Sequence, residues 1–382
     1  MGNLEGGFHG QASGFTLMTT ALEYVRMAEN VKRCTRCILP ETYPGIHFNE
    51  QGVCSFCSEP QTEPPPSEKE LKTALDTIVR SHTGKGKYDA VVGLSGGKDS
   101  TYAAYYLKKE YNLRILGINF DNGYRSEYAI NNLEIVSDTL EIDLLTIRPK
   151  KAFLNRLYRH FLRKNGEFCS VCNNLGYLLV GSFCFNEQRL HGYAPLAVGG
   201  WTKKYEYQPG VSVTSMQYFF NHLTPKLLEE LVAQPFIEEE AVRIFMELND
   251  PRQTNAYSST QKEFKRLVST FIQLPDYVPW DLNNMAQILT EDIGWRQPPN
   301  GHGSHFDCAL FPIKEFLKYR KYGLTQETIK NSVMIREGLM TRDDALKRMG
   351  LDQTDEPDVY REFLNELNLS VGDVNGDGEW SR

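Results

Sequence analysis

The segment Gly93–Thr101, with the sequence GLSGGKDST, lies between a short apolar run and a stretch typical of a helix. The apolar run Tyr88–Leu94 predicts a buried parallel strand, and Ser100–Glu110 predicts the helix that follows it. Glycines in such a turn let backbone N–H groups approach an anion closely, and the start of the helix adds a partial positive charge. The order of these features predicts a phosphate-binding loop at the edge of an open α/β sheet.

Strand and helix patterns continue to alternate along the chain around this loop. Strands are predicted at Arg114–Phe120 and Asp143–Ile147, separated by a helix at Ala129–Thr139. A helix at Glu68–Val79 is expected before the sheet, and mostly helical segments are expected from about Thr214 onward. This alternation predicts the α/β class, with a parallel sheet and helices on both of its faces.

We expect five regions along the 382 residues. They are a leader at 1–30, a four-cysteine zinc ribbon at 31–60, a linker and helix at 61–85, the domain with the phosphate loop at 86–235, and a mostly helical C-terminal region at 236–382 that closes the active site. The linker is marked by the proline-rich sequence QTEPPP at Gln61–Pro66.

Composition excludes several classes of protein. No apolar run approaches the roughly 18 residues of a membrane span, and the N-terminus lacks the pattern of a signal peptide. We therefore expect a cytoplasmic protein without a membrane partner. The net charge of −7 argues against nucleic acid as a partner, because a large nucleic-acid footprint needs a basic face. Eight cysteines in such a chain indicate metal or redox chemistry rather than disulfides.

The loop differs from a Walker A motif. Only three residues separate Gly93 from the Gly97-Lys98 pair, and Asp99 follows the lysine where Walker A requires Ser or Thr for magnesium. The form S-G-G-x-D-S resembles the PP-loop of N-type ATP pyrophosphatases, which cleave ATP between the α- and β-phosphates. The resemblance implies binding of ATP with Mg²⁺, with Lys98 and Asp99 serving catalysis. The implied nucleotide-binding residues are Leu94, Ser95, Gly96, Gly97, Lys98, Asp99, Ser100, Thr101 and Asp121.

The N-terminal cysteines form two pairs. Cys34-x2-Cys37 and Cys54-x2-Cys57 are separated by sixteen residues, which lies within the spacing of four-cysteine zinc sites. Four thiolates around one ion give a closed tetrahedral shell, and such a Zn²⁺ site is structural. Free thiols and an iron–sulfur centre are the alternatives.

Several segments together resemble one family within this superfamily. They are the ribbon at 33–57 (RCTRCILPETYPGIHFNEQGVCSFC), the phosphate loop, Gly294-Trp295-Arg296, His302–Cys308 and Ile335–Leu346. With these segments the chain resembles the N-acetyl sugar amidotransferases of surface-polysaccharide and nonulosonic-acid pathways. The resemblance implies that ATP adenylates a carbonyl oxygen of an N-acetylated sugar and that ammonia replaces this oxygen, with release of AMP and pyrophosphate. It also implies a separate glutaminase as the ammonia donor.

Three further cysteines open an alternative function. Cys169-x2-Cys172 lies beyond the third predicted strand, and Cys308 stands where the amidotransferase family tends to have Ser. Together they resemble the tRNA thiolases, which hold a [4Fe–4S] cluster on three cysteines and leave one iron open for sulfide. The alternative is therefore a sulfur transferase in which these three cysteines are catalytic and a partner protein donates sulfur. The remaining interpretation is that Cys169 and Cys172 are packing or fold-stabilising residues and that Cys308 is an unrelated small apolar residue. Cys184 is predicted to lie in the core.

The segment around Cys308 also contains His302, His305 and Asp307, next to two glycines. Such a loop could position a general acid or base, or could be an ordinary solvated loop. A third function, of a different class, is a nucleotide-sensing scaffold without turnover; the intact Lys98-Asp99 pair argues against it.

Overall fold

The computed structural model describes residues 31–43, 45–58, 66–200, 216–248, 271–299, 306–338, 340–349 and 356–374. The predicted leader lies outside the described residues, as do most of the proline-rich linker, His302 and His305.

Five parallel strands form the central sheet, in the order β3-β2-β1-β4-β5. They are β1 (Ala90–Gly93), β2 (Ile115–Phe120), β3 (Asp143–Ile147), β4 (Leu196–Gly199) and β5 (Phe271–Gln273). Strands β1 to β3 extend the sheet in one direction, and β4 then pairs with the other side of β1. The strand order therefore reverses at β1, and ligands of open α/β sheets bind at the carboxyl ends of the strands at such a point.

The helices before β5 are α1 (Ser55–Ser58), α2 (Glu68–His82), α3 (Lys98–Tyr111), α4 (Glu127–Leu140), α5 (Lys151–Asn165), α6 (Cys169–His191), α7 (Met216–His222), α8 (Pro225–Val232) and α9 (Glu239–Leu248). Those after β5 are α10 (Leu282–Ile293), α11 (Phe311–Tyr322), α12 (Gln326–Arg336), α13 (Arg342–Met349) and α14 (Asp358–Glu366), with 3-10 turns at Leu274–Asp276 and Val371–Val374. Among the described residues, no helix is both long enough and apolar enough to cross a membrane.

The two faces of the sheet carry separate hydrophobic cores. Val91 packs into one core with α5 and α6, while its neighbours Ala90 and Val92 pack into the other with α3 and α4. This alternation is the period of two of a strand, and a strand covered on both faces is typical of parallel sheets. The predicted α/β class, with helices on both faces, is confirmed. Cys184 is fully buried in the first core, where the sequence predicts it.

Two helices begin earlier in the chain than the sequence predicts. Ser126 accepts a hydrogen bond from the N–H of Ala129, so α4 begins at Glu127 rather than at Ala129. Helix α3 begins at Lys98, two residues earlier than predicted. Lys98 and Asp99 therefore belong to the first turn of a helix, where the N-terminal end of the helix dipole adds to the attraction for anions.

Two strands are absent from the sequence-based prediction. Strands β4 and β5 have only four and three residues. Strand β5 lies within the region predicted to be mostly helical, yet it pairs with β4 and extends the sheet. The region after residue 235 thus contributes to the sheet as well as to the helices around it.

The four-cysteine segment, called here the ribbon (residues 31–58), packs on the C-terminal helices. Leu324 and Ile329 share a small hydrophobic core with the four cysteines. Arg342 Nε donates hydrogen bonds to the backbone carbonyls of Cys34 and Cys37, at 3.3 and 2.9 Å. The ribbon is therefore attached to α12 and α13.

Candidate active site

The phosphate loop connects β1 to α3 at the point where the strand order reverses. Leu94 is buried at its start, and its N–H donates to the carbonyl of Ile118 at 2.8 Å. Ser100 Oγ accepts from the N–H of Ser95 at 3.0 Å and lies 3.1 Å from Ser95 Oγ. These contacts close the loop on itself, so its shape is defined by its own side chains.

Gly96 adopts the left-handed conformation, with φ at 79°. A Cβ at this position would lie 2.2 Å from the carbonyl oxygen of Ala129, so the close approach of the loop to α4 requires glycine. The carbonyl of Gly96 accepts hydrogen bonds from Asn132 Nδ2 and Trp295 Nε1, each at 3.1 Å. Trp295 is fully buried, so the Gly-Trp-Arg segment identified in the sequence supports the loop from behind.

Lys98 and Asp99 lie side by side in the first turn of α3. The side chain of Lys98 is buried, and this burial lowers the pKa of its ammonium group, while the charge of Asp99 opposes the shift. Asp99 Oδ1 accepts a hydrogen bond from Trp280 Nε1 at 2.9 Å. The side chain of Thr101 is fully buried behind them. A phosphate chain in the loop would meet a buried cation whose charge water screens poorly.

Asp121 lies directly after β2, and its carboxylate is engaged by protein groups. Arg148 Nε donates to its Oδ2 at 2.7 Å, and the N–H of Gly123 donates to its Oδ1 at 2.8 Å. These contacts stabilise the Asp-Asn-Gly turn that leaves the sheet. The predicted role of Asp121 in nucleotide binding stays a prediction.

Two cysteines beyond the ribbon, Cys172 and Cys308, meet at one amide. Asn122 Nδ2 lies 3.5 Å from Cys172 Sγ and 3.4 Å from Cys308 Sγ. The hydroxyl of Tyr158 lies 3.0 Å from Cys172 Sγ, and Cys169 lies one helical turn before Cys172 at the start of α6. Burial raises the pKa of Cys172 to about 11, and it also raises the pKa values of Cys169 and Cys308. The metal-free thiols are therefore protonated at neutral pH.

A short stretch, residues 306–309, connects this thiol group to the phosphate loop. Cys308 forms an antiparallel bridge with Arg125, and the N–H of Ala309 donates to the carbonyl of Tyr124 at 2.8 Å. The side chain of Cys308 contacts Asn122, whereas the carboxylate of the preceding residue, Asp307, lies at the loop.

Arg125 pairs with Asp307, with 3.5 Å between Nη1 and Oδ2. Both side chains are mostly buried, at 12% and 18% exposure. The sequence singled out Asp307 only as a member of a polar segment, and it contained no signal for Arg125. Trp280 was likewise missed, because its importance comes from contacts with residues that are far away in the chain.

The ribbon brings four thiols together. Their Sγ atoms all lie within 4.8 Å of one another, and the residues are buried: Cys34, Cys37, Cys54 and Cys57. Cys34 Sγ accepts from the backbone N–H groups of Arg36, Cys37 and Cys54, at 3.4, 3.4 and 3.2 Å. The hydrogen bond from the Cys37 thiol helps to lower the pKa of Cys34 far below its usual value. This donor set fits a closed tetrahedral metal site, and no other such group lies this close in the described ranges.

The C-terminal part of the chain matches a known protein family. Residues 300–375 match the family described as "LPS biosynthesis protein WbpG-like, C-terminal domain". An uncharacterized protein of Methanocaldococcus jannaschii is 23% identical over 344 residues, which cover 88% of this chain and 97% of that protein. The tRNA-specific 2-thiouridylase MnmA of Mycoplasmopsis synoviae is 24% identical over 263 residues, covering 59% of this chain and 65% of that protein.

Similar solved structures are more distant. The U34-tRNA thiolase NcsA of Methanococcus maripaludis, solved with its [4Fe–4S] cluster, has a TM-score of 0.35 at 14% identity, covering 86% of this chain and 91% of that one. The NMN synthetase of Francisella tularensis has a TM-score of 0.36 at 14% identity, covering 77% and 99%. These scores are too low to assign either activity. The chain thus combines an S-G-G-x-D-S loop at the edge of a parallel sheet with a C-terminal region that matches the WbpG-like family.

Proposed function

We propose that the chain is an ATP-dependent, AMP-forming amidotransferase that acts on a carbonyl-type oxygen of an N-acetylated sugar. One observation carries the proposal: the region that matches a lipopolysaccharide-biosynthesis family also forms part of the phosphate-loop site. Asp307 lies within this region, and a Cβ on Gly97 of the loop would be only 3.2 Å from its Oδ2. The WbpG-like region would therefore meet both ATP and the sugar.

The arrangement suits adenylation followed by displacement. The loop would bind the β- and γ-phosphates, and the sugar carbonyl oxygen would attack the α-phosphorus as pyrophosphate leaves. Ammonia would then add to the activated carbon, and AMP would leave to give an acetamidino group. Lys98 would stabilise the charge that grows on the phosphate oxygens, an effect that is strong in a buried site. A separate glutaminase would supply the ammonia.

Product analysis tests this function. Protein incubated with ATP, ammonium and candidate N-acetyl sugars should form AMP and pyrophosphate in equal amounts, and ADP as the main product would refute the proposal. Lys98→Ala should slow the reaction on the order of a hundredfold or more. Lys109→Ala is the matched control, since Lys109 is an exposed lysine near the other end of the same helix.

A second function, sulfur transfer, is favoured by the gathering of thiols around Asn122. Three half-buried cysteines, with the side-chain N–H of Asn122 beside two of the sulfurs, form a donor set that fits an iron–sulfur cluster. Cys169, Cys172 and Cys308 would hold a [4Fe–4S] cluster, which would deliver sulfide from a sulfur-donor protein in place of ammonia. The similarity to a 2-thiouridylase is consistent with this alternative.

Anaerobic purification separates the two functions. The sulfur transferase would be brown and would contain about four irons per chain beyond any metal in the ribbon. Cys308→Ser should lose this colour, whereas Cys184→Ala, at a core cysteine away from the site, should keep it. Colourless, iron-free protein that still turns over with ammonia would exclude sulfur transfer and support the amidotransferase.

A further inference from the structure

Asp307 places a carboxylate against a loop that is built to bind anions. A Cβ on Gly97 would lie 3.2 Å from Asp307 Oδ2 and 3.3 Å from its Cγ. The carboxylate therefore lies in the immediate neighbourhood of the loop backbone. Phosphates bound in the loop would carry negative charge into the same space, and at 18% side-chain exposure water screens this repulsion only in part.

The cation already beside Asp307 does not satisfy it fully. Arg125 Nη1 is 3.5 Å from Oδ2, longer than the roughly 2.7–2.9 Å of a charge-assisted hydrogen bond. Arg125 Nη2 donates instead to the carbonyl of Phe120, at 2.6 Å. Among the described residues, no side-chain or backbone group comes closer to the carboxylate as a hydrogen-bond donor. Asp307 thus keeps acceptor capacity on the side of the loop.

Two other carboxylates near the loop accept hydrogen bonds. Asp99 accepts the indole N–H of Trp280 on Oδ1, and Asp121 accepts from Arg148 and the N–H of Gly123. Of these three carboxylates, Asp307 has the greatest capacity for a new partner. Because that partner must offset both the carboxylate and the phosphates, it must be a cation.

We infer that Asp307 is a ligand of the divalent cation that binds together with ATP, an inference that rests on the proposed ATP-dependent function. Mg²⁺ in such sites is typically bound by one or two carboxylates together with substrate phosphates. A carboxylate oxygen suits this hard cation, whereas the neighbouring thiols prefer softer metals. Asp307 would then bind the hard cation at the phosphates, while the next residue, Cys308, would contribute a soft sulfur ligand to the thiol group around Asn122.

Calorimetric titration with ATP, without a sugar acceptor, tests the assignment apart from turnover. Each protein is titrated once in EDTA and once in excess Mg²⁺. The quantity compared is the ratio of the ATP dissociation constant in EDTA to that in Mg²⁺. In the wild type this ratio should be on the order of ten or more, a typical coupling between two ligands. In Asp307→Asn this ratio should fall toward one, and ATP should bind at least as tightly in EDTA, because the repulsive charge is gone. Asp307→Glu should keep part of the ratio.

The matched control is Asp292→Asn, the same change at an exposed carboxylate on α10 that pairs with Lys109; it should keep the wild-type ratio. Titration of Mn²⁺ by electron paramagnetic resonance in the presence of ATP gives a second readout, with Mn²⁺ affinity at least about tenfold weaker in Asp307→Asn. Melting temperatures establish that the variants are folded. A wild-type Mg²⁺ ratio in folded Asp307→Asn would overturn the inference alone. A wild type that binds no ATP in either buffer would overturn the proposed function as well.

Discussion

Trp280 donates its indole N–H to Asp99 Oδ1 at 2.9 Å. The same indole packs edge-on against Tyr102 of α3, with 5.2 Å between the ring centroids. Trp280 follows β5, the outermost strand beyond β4. The orientation of the Asp99 carboxylate in the loop therefore depends on a segment that joins the sheet last along the chain.

Trp280→Phe should remove this hydrogen bond while keeping a ring against Tyr102. We expect kcat for AMP formation to fall on the order of tenfold, because a hydrogen bond to a charged group contributes about 1.5–3 kcal/mol. Steady-state kinetics and the melting temperature should be measured together, and the latter should change little. Tyr105→Phe is the control, since it removes a hydroxyl–carboxylate bond to Asp292 away from the loop. An unchanged rate in Trp280→Phe would show that the indole does not orient Asp99.

The ribbon should contain one zinc ion per chain. Cys34→Ser should lose this zinc and lower the melting temperature, because a structural metal contributes directly to folding. Since Arg342 donates to the carbonyls of Cys34 and Cys37, limited proteolysis should also become faster within α12 and α13. Metal analysis and protease mapping check both effects, with Cys184→Ala as the control that keeps its zinc. Full zinc content in Cys34→Ser would contradict the assignment.

Asp89 connects the starts of β1 and β2 and should make stability depend on pH. It accepts hydrogen bonds from Arg114 Nη2 at 2.7 Å, Arg114 Nε at 3.0 Å and the N–H of Gly84 at 2.7 Å. Burial alone would raise the pKa of Asp89, but the hydrogen bonds from Arg114 outweigh it and the pKa lies below its usual value. Because the folded pKa is the lower one, the stabilisation is complete above the unfolded pKa of about 3.9 and is lost as the pH falls through the folded value.

Asp89→Asn should therefore lower the free energy of unfolding by about 2 kcal/mol at pH 7 and by less near pH 3. Urea unfolding at the two pH values measures the difference. Asp143→Asn is the control, because Asp143 is an exposed carboxylate whose ion pair with Lys87 is solvated. An equal loss at both pH values in Asp89→Asn would mean that packing, rather than charge, explains the effect.

The first half of the sheet and the phosphate loop could be predicted because their signals are local. The apolar run that contains Val91 and Val92 marks a buried strand, and the glycines that follow it mark a turn. Strands β4 and β5 were not predicted, although β4 has as many residues as β1. Their strand conformation comes from pairing with neighbours that lie far away in the sequence.

In the candidate site, too, some features could be predicted from the sequence and others could not. The resemblance to the tRNA thiolases suggested that Cys169, Cys172 and Cys308 could converge, but the amide that joins two of them could not be predicted. Asn122 and Cys308 are 186 residues apart, and Trp280 and Asp99 are 181 residues apart. No local pattern specifies a side-chain contact over such a separation; it is set by how the C-terminal region folds back over the sheet.

The docking of the ribbon has a consequence for the order in which the protein assembles during translation. Arg342 is synthesised 308 residues after Cys34, whose carbonyl it contacts. The ribbon therefore leaves the ribosome long before the helices that cover it, and its apolar side remains a surface for chaperones throughout that interval. A nascent chain that stops short of α12 therefore keeps this apolar side exposed.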